Sequence, residues 1–355
     1  MTFLPSTIPL IQAPMAGAQG PELAIAVCKA GGLGSLPAAM LTPDRLREQI
    51  AAVRQATDAP FNVNFFCHAE PTSDPEIEAR WRKRLAPYYA EVGVDPSAIP
   101  AAPVRAPFDG ALCAVIEETW PAVVSFHFGL PTAELLSRVK AAGALTLASA
   151  TTVAEARWLE QQGVDAVIAQ GREAGGHRGM FLSDDIDAQP GLISLVPQVR
   201  DAVRLPIVAA GGIADGRGIA AAFALGADAL QIGTAYLRTP EATISPIHRA
   251  ALASARDDAT RLTNVFTGRP ARGLVNRFVA GVGPMSEDAP QFPLAAGAAA
   301  PLRAAAEKRG SSDFSPLWAG ESAALAREEG AEALTRRLWA EGRAVMAGLS
   351  GRRND

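Results

Sequence analysis

The sequence is poor in the residues that mark several classes of protein. Its three cysteines, Cys28, Cys67 and Cys113, are an odd number without the paired spacing of a zinc site, so we expect free thiols rather than a disulfide framework or a metal centre. The 33 Lys and Arg are scattered and are outnumbered by 37 Asp and Glu, which argues against a nucleic-acid partner or an anionic membrane surface. With no bilayer-length apolar run and no signal-peptide pattern, we expect a cytoplasmic protein.

Apolar residues are abundant, at 48% of the 355 residues, and they fall in short β-type runs that alternate with Ala- and Leu-rich helical stretches. This alternation is typical of a parallel α/β protein. Eight strands in about 235 residues fit a closed (β/α)8 barrel, the TIM barrel, better than an open doubly wound sheet. The predicted strands are 9–15, 34–36, 61–66, 123–128, 145–149, 166–170, 207–210 and 229–232, and the clearest helices are 21–29, 43–56, 132–142, 153–162 and 216–225.

Two stretches fall outside this rhythm. An insertion at 67–120 contains a charged helical piece, 75–92, and a Pro-rich loop, 99–107, and could form part of a lid. After the barrel, predicted over 1–242, the segment 243–320 reads as a smaller, mainly helical cap that includes a helix in the Ala-rich tract 295–306. The remainder, 321–355, is predicted to pack on the barrel, with helix over 321–349 interrupted at Gly330.

Glycines follow the last two predicted strands. Gly211 and Gly212 come after the seventh, and Gly233 with Thr234 after the eighth. These are the loops at which barrels often bind phosphate with backbone N–H groups, although either pair alone could be only a tight turn. Together, in a chain without a GxGxxG turn after the first strand or a Walker loop, they predict a mononucleotide cofactor such as FMN rather than a dinucleotide.

Polar side chains are predicted at the same end of the barrel. The loop QGREAGGHRG at 170–179 is glycine-rich and suits a segment that wraps the edge of a planar cofactor. Gln170 could reach a ring carbonyl or amide of that cofactor. Asn64 could do the same, although a buried Asn that bonds only to neighbouring backbone is an equally ordinary outcome.

The four histidines can be weighed one by one. His127 lies in the run VVSFHFG near the end of the fourth predicted strand, which makes it a candidate general base, although a lone His in such a run is more often a satisfied core residue. His177 lies in the glycine-rich loop and is interpreted as orienting flavin or substrate. His68 reads as a loop residue and His248 as a surface residue.

Several segments together resemble nitronate monooxygenases, the FMN enzymes formerly called 2-nitropropane dioxygenases. VSFHFG combined with AGGHRG is specific within the superfamily and resembles the class I members, and the likeness covers nearly the whole chain. The segments are QAPMAG at 12–17, FNVNFF at 61–66, VVSFHFG at 123–129, QGREAGGHRG at 170–179, VAAGGI at 208–213, LQIGTAYL at 230–237, FTGRPARGLVNRF at 266–278 and LWAG at 317–320.

The resemblance implies a catalytic role for His127 and a set of FMN contacts. The sequence departs from the family at Glu321, where glutamine is expected after LWAG. A carboxylate near a flavin would disfavour the anionic reduced forms of the flavin. The implied contacts are Met15, Asn64, Gln170, Gly175, Gly212, Gly233 and Thr234, and the neighbouring Gly176, His177 and Gly211 complete the predicted cofactor site.

The resemblance also implies a reaction, the oxidation of an alkyl nitronate by O2 to a carbonyl compound and nitrite, with propionate 3-nitronate as the suggested substrate. A nitronate needs no base, but a neutral nitroalkane must first lose its α-proton, which a neutral His127 can accept. Protonated, the same residue would stabilise negative charge on the nitro oxygens. We predict that the protein is a monomer or homodimer.

Two other functions stay open at this point. An NAD(P)H-dependent FMN reductase acting on quinones or enoyl thioesters would share the AGGH and AAGGI loops. A binding module would hold FMN or another phosphorylated ligand without turnover. The histidine of VSFHFG, His127, weighs against both.

Overall fold

The largest sheet of the protein is a closed parallel barrel. The structure, a computed structural model, describes residues 3–95 and 106–351. Eight strands pair in the order β1-β9-β8-β6-β5-β4-β3-β2, and a parallel bridge between Ile11 and Leu33 closes the ring. The predicted TIM barrel is therefore confirmed. In chain order the strands are β1 (Leu10–Gln12), β2 (Gly34–Pro37), β3 (Phe61–Phe66), β4 (Val123–His127), β5 (Leu145–Ala150), β6 (Ala166–Gln170), β7 (Gly176–His177), β8 (Ile207–Ala210), β9 (Ala229–Ile232), β10 (Thr260–Thr263) and β11 (Ala271–Leu274).

Helices surround the barrel and extend beyond it. In α2 the apolar residues Leu46, Ile50 and Val53 recur at helical spacing and are buried, while the Thr42 side chain caps the first turn. In chain order the helices are α1 (Pro21–Lys29), α2 (Pro43–Ala56), α3 (Pro75–Val92), α4 (Gly110–Thr119), α5 (Ala133–Ala141), α6 (Val153–Gln161), α7 (Leu192–Ala202), α8 (Gly216–Ala224), α9 (Pro246–Ala253), α10 (Arg277–Val282), α11 (Ala295–Lys308) and α12 (Ala331–Gly351).

The structure contains the predicted strands and helices of the barrel, and it differs from the prediction only in where some of them begin and end. The first strand stops at Gln12 rather than residue 15, because the chain turns there and Met15 N donates to Gln19 Oε1 at 3.1 Å. The second and fifth strands each extend one residue further than predicted, to Pro37 and Ala150. The fourth stops at His127, one residue early.

The stretch 67–120, predicted as one insertion, divides in two. Helix α4 lies between α2 and α5 in the barrel's own helical layer, so it is a regular part of the barrel. Helix α3 instead packs on α11, where Trp81 Nε1 and Tyr89 Oη donate to backbone carbonyls at 3.3 and 2.7 Å. Most of the predicted Pro-rich loop, residues 99–105, lies outside the described residues.

A second, antiparallel sheet joins the segment after the barrel to the loop that follows β6. Its order is β10-β11-β7, and β7 supplies only the pair Gly176 and His177. Apolar side chains of α3, α10 and α11, among them Leu85, Phe278 and Leu302, form a core of their own beside this sheet. The sequence patterns did not predict this sheet, because a two-residue strand carries no periodicity.

The C-terminal helix packs on the barrel. Helix α12 lies against α8 and α1, and Tyr236 Oη is 2.8 Å from Thr335 Oγ1. Residues 321–330 were predicted as helix and contain only the short 3₁₀ turn Ala323–Leu325. None of the helices in the described part of the chain is both long and apolar enough to cross a bilayer.

Candidate active site

A cavity of about 620 Å³ opens at the C-terminal ends of the barrel strands, within the usual size range of small-molecule sites. The cap contributes Ala299 and Arg303 of α11 to its wall. None of the described residues of 67–120 lines it, so α3 supports the wall from behind. All of the predicted site residues line this one cavity: Met15, Asn64, His127, Gln170, Gly175, Gly176, His177, Gly211, Gly212, Gly233 and Thr234.

His127 is held through both ring nitrogens. Its Nδ1 lies 3.0 Å from Ser149 Oγ, and its Nε2 lies 3.2 Å from the backbone oxygen of His177. A carbonyl can only accept, so we assign the ring proton to Nε2. Nδ1 then accepts a hydrogen bond from the Ser149 hydroxyl. Sequence reasoning missed Ser149, although it stands near the end of the neighbouring strand as His127 does.

The backbone turns sharply after His127. Phe128 has φ 70°, a left-handed conformation that is rare for a bulky residue, and Gly129 follows at φ 87°. The Arg269 guanidinium lies 4.1 Å from the centre of the Phe128 ring and donates to the Met180 carbonyl. Backbone strain of this kind is found at functional sites. Here it ends β4 and leaves the His127 ring at the cavity.

His127 is neutral at ordinary pH. Burial lowers the pKa of its imidazole to about 3, against the opposing effect of its bond to the His177 carbonyl, and the nearby charges of Arg269 and Arg178 lower it further. The side chain is nevertheless only half-buried, because it faces the cavity. In the free protein the residue can therefore accept a proton but does not carry one.

Gln170 and Asn64 use their side chains within the protein. Gln170 Nε2 donates to the His177 carbonyl at 3.0 Å, and its Oε1 accepts from Gly179 N at 2.8 Å. Its amide thus orders the loop that supplies a partner to His127. Asn64 Nδ2 donates to the backbone oxygen and the hydroxyl of Ser125, at 3.2 and 3.0 Å, which is the ordinary alternative considered for this residue.

The glycine-rich loops allow close approach of backbone to the cavity. Gly211 and Gly212 have φ of 116° and 67°, values that favour glycine. A Cβ added at Gly175 would lie 2.5 Å from the backbone nitrogen of Gly320. Gly320 N in turn donates to Thr234 Oγ1 at 2.9 Å. The Ser322 hydroxyl donates to the Gly212 carbonyl at 2.7 Å, so the segment that begins at Gly320 packs against both loops that we predict to bind phosphate.

Gln231 is a further cavity residue that sequence reasoning missed. Its Oε1 is buried and has no hydrogen-bond partner within the described residues. A buried acceptor without a partner is costly, and one that faces a cavity is satisfied when a ligand donates to it. Its position in the strand run LQIG, just before the predicted glycine loop, is the sequence feature that could have identified it as a cavity residue.

A buried network fixes the loop that bears His177. The Arg178 guanidinium donates to the carbonyls of Gly171 and Gln170, at 2.5 and 2.8 Å, and burial lowers its pKa to about 10. The Glu155 carboxylate accepts from Phe181 N and Thr151 N, each at 2.6 Å. The loop is thus anchored to the barrel on both sides of its active-site residues.

The remaining predictions about single residues have mixed outcomes. His248 was predicted at the surface, and this is wrong: it is buried, lines the cavity, and its Nε2 lies 3.1 Å from the Trp318 carbonyl. His68 is buried against the Phe292 ring, with ring centres 4.9 Å apart. Glu321 pairs with Arg272 at 2.9 Å, so a guanidinium balances its charge.

Within the described residues, no group of three or more His, Cys, Asp and Glu side chains could hold a metal ion. The three cysteines are free thiols, and burial raises the pKa of Cys28 to about 11. None of the three lines the cavity, so the structure gives no support for thiolate chemistry there.

Comparison with known proteins gives a consistent result. The family model for nitronate monooxygenase matches residues 1–341. A nitronate monooxygenase from Paraburkholderia phytofirmans is 45% identical over 333 residues, which cover 93% of this chain and 91% of that protein. The solved nitroalkane oxidase from Streptomyces ansochromogenes has a TM-score of 0.88 at 44% identity, covering 97% and 98% of the two chains. FabK from Thermotoga maritima is more distant, with a TM-score of 0.73 at 29% identity, covering 98% and 96%.

Proposed function

The chain belongs to the nitronate monooxygenase family and is an oxidoreductase, and on that basis we propose that it binds FMN at the barrel mouth and oxidises alkyl nitronates with O2. The products would be a carbonyl compound and nitrite. The observation that carries the proposal is the single cavity onto which His127 and the two glycine loops, at Gly211 and Gly233, converge.

The cavity has features that FMN would fit. Its volume suits a cofactor of that size together with a small substrate. The unpartnered Gln231 Oε1 offers an acceptor to a ring N–H, and the left-handed Gly211 and Gly212 bring backbone to the cavity wall. We propose that these glycines with Gly233 and Thr234 hold the phosphate, and that Met15, Asn64 and Gln170 border the ring.

FMN, when bound, would supply the electron acceptor for the substrate and a route for electrons to O2. The chain's own share is to bind and orient the substrate and to manage its charge. Arg178 and Arg269 lie close enough to lower the pKa of His127, so the same positive charges favour an anion beside it. A nitronate, which is an anion, matches that environment better than a neutral or cationic substrate does.

For a neutral nitroalkane the chain would have to remove a proton first. His127 is in the neutral form that this step requires. On the family resemblance we propose propionate 3-nitronate as a substrate that needs no such step.

One experiment distinguishes this function from the two alternatives, an NAD(P)H-dependent FMN reductase and a binding module. The purified protein, reconstituted with FMN, is mixed without oxygen with propionate 3-nitronate or, separately, with NADH, and the flavin absorbance is followed. Rapid bleaching by the nitronate, with nitrite released once air is admitted, is the expected result. Bleaching by NADH alone would identify a reductase, and no bleaching by either would favour a binding module. Free FMN without protein is the control.

A further inference from the structure

We propose that Ser149 is a second catalytic residue, whose hydroxyl carries the α-proton of a neutral nitroalkane to His127. The inference rests on the proposed function and deepens it, because it concerns the substrates that must lose a proton before oxidation. It starts from the hydrogen bonds of the His127 ring, which leave no free nitrogen.

The nitrogen that can accept a proton is already covered. Nε2 of His127 carries the ring hydrogen and donates it to the His177 carbonyl, which Gln170 Nε2 also holds. The lone pair is therefore on Nδ1, and the Ser149 hydroxyl occupies it at 3.0 Å. A substrate proton can reach that lone pair directly only if the serine first moves away.

The two residues are closely packed. Gly179 lies directly over both residues: a Cβ added there would stand 2.8 Å from His127 Cε1 and 3.0 Å from Ser149 Cβ. Ser149 is 5% exposed, and that exposure is to the cavity, because the residue is part of its lining. Both residues line the cavity, and the Ser149 hydroxyl can meet a substrate there while it remains bonded to Nδ1 of His127.

The proton transfer is balanced without any further reactant. The substrate C–H bond breaks, and its electron pair moves into the nitro group to give the nitronate. The proton bonds to Ser149 Oγ, and the original Ser149 O–H bond breaks as its proton passes to His127 Nδ1. The imidazolium then donates to the His177 carbonyl and to Ser149 Oγ. The new serine O–H faces the cavity, where it can donate to the anion.

The first test compares substrates. Ser149→Ala is expected to lower kcat/KM for nitroethane by about 10²-fold, the usual size of a proton-transfer contribution. Turnover of preformed ethyl nitronate, which needs no base, should fall much less. Ser149→Thr, which restores a hydroxyl, should recover much of the nitroethane activity. Ser254→Ala is the matched control, since that hydroxyl is exposed and donates to carbonyls of its own helix.

The second test measures isotope effects on the two proton transfers of the relay. In the relay the serine proton, which exchanges with solvent, moves together with the carbon-bound proton. Wild-type oxidation of nitroethane should therefore slow in D2O in addition to slowing with 1,1-dideuterated substrate, whereas ethyl nitronate should show neither effect. Direct abstraction by His127 would give the substrate isotope effect alone.

Three outcomes would overturn the relay: unchanged nitroethane turnover in Ser149→Ala, no solvent isotope effect in the wild type, or a wild type that oxidises nitronates but no neutral nitroalkane. Each of these leaves the nitronate reaction standing. Failure of the wild type on nitronates as well would instead contradict the proposed function.

Discussion

The imidazole of His127 is fixed between a backbone carbonyl and a serine hydroxyl, and this pairing decides what it can do as a base. Burial favours its neutral form, and the carbonyl on Nε2 places the lone pair on Nδ1. A general base works best with a pKa near the working pH. The low pKa of the free site means that imidazolium must gain stabilisation from the nitronate formed beside it.

The variant His127→Asn tests whether His127 is the general base. Asparagine keeps a polar side chain but has no group that accepts a proton near neutral pH, so nitroethane turnover should fall by about 10²-fold or more. FMN binding and much of the activity on preformed ethyl nitronate should survive. Steady-state nitrite release from the two substrates measures the difference. Unchanged turnover of nitroethane would show that the base is another group.

Two histidines whose pKa values are lowered in the native protein predict how stability depends on pH. Unfolded histidines take up a proton below about pH 6.5, whereas native His127 and His248 do so only near pH 3 and pH 4. Between these values the unfolded state binds more protons, so the free energy of unfolding must fall as the pH is lowered from about 6.5. Each histidine contributes a slope of up to about 1.4 kcal/mol per pH unit.

Urea unfolding between about pH 7 and pH 5 measures this slope. His248→Gln should reduce it by about half, because one of the two depressed titrations is removed. Glutamine retains an N–H that can donate to the Trp318 carbonyl, which His248 Nε2 now contacts at 3.1 Å. An unchanged slope in this variant would show that other groups carry the pH dependence.

At the scale of elements, the loop from β6 to α7 does most to assemble the site. It supplies the His177 carbonyl to His127, pairs with β11 through β7, and is anchored by Glu155 and Arg178. The predicted glycine-rich segment 170–179 lies within this loop. Arg178 belongs to that segment, whereas Glu155 lies outside it, because Glu155 is a helix residue that reaches across from α6.

Glu155→Gln tests that anchor. The carboxylate accepts four hydrogen bonds, two on each oxygen, from Thr151, Phe181 and Leu182. Whichever way the amide of the variant points, its NH2 group faces donors, so a loss of about 1–3 kcal/mol in the free energy of unfolding is expected. Chemical denaturation measures the loss. Glu332→Gln, in an exposed pair with Arg336, should change stability by less than about 0.5 kcal/mol and serves as control.

Prediction of the elements from sequence succeeded where the pattern is local. The strand 61–66 and the helix 43–56 were predicted to the residue, because the alternation of apolar strand-type runs and helical stretches is visible in the chain itself. The sheet β10-β11-β7 was missed. Strand β7 has only two residues, and its pairing with β11 joins residues far apart in sequence, which no short-range pattern reports.

At the scale of the whole molecule, the cavity lies between the barrel and the α11 segment, so ligand binding should stabilise the complete fold. FMN at about 100 times its Kd is expected to add about 2.7 kcal/mol to the free energy of unfolding of the flavin-free protein. Riboflavin, which lacks the phosphate proposed to lie at Gly211 and Gly233, should add clearly less at the same concentration.

Thermal denaturation followed by circular dichroism measures the stabilisation that each ligand gives. AMP, which has a phosphate but no flavin ring, is the control for phosphate binding alone. Equal stabilisation by FMN and riboflavin would place the phosphate outside the glycine loops. A larger effect of AMP than of FMN would contradict a flavin site.

The sequence by itself determined the barrel, the end of the barrel at which the cavity lies, and part of the set of residues that line it. Strand periodicity, strand-end glycines and His127 in its apolar run are local features, and parallel strands bring their carboxyl ends to one edge. Only the tertiary structure decided what His127 contacts. Ser149 and the His177 carbonyl are 22 and 50 residues away in the chain, and their positions depend on how the strands and the sixth loop pack. The same holds for the burial of His248 and the unpartnered Gln231, because burial is a property of long-range packing.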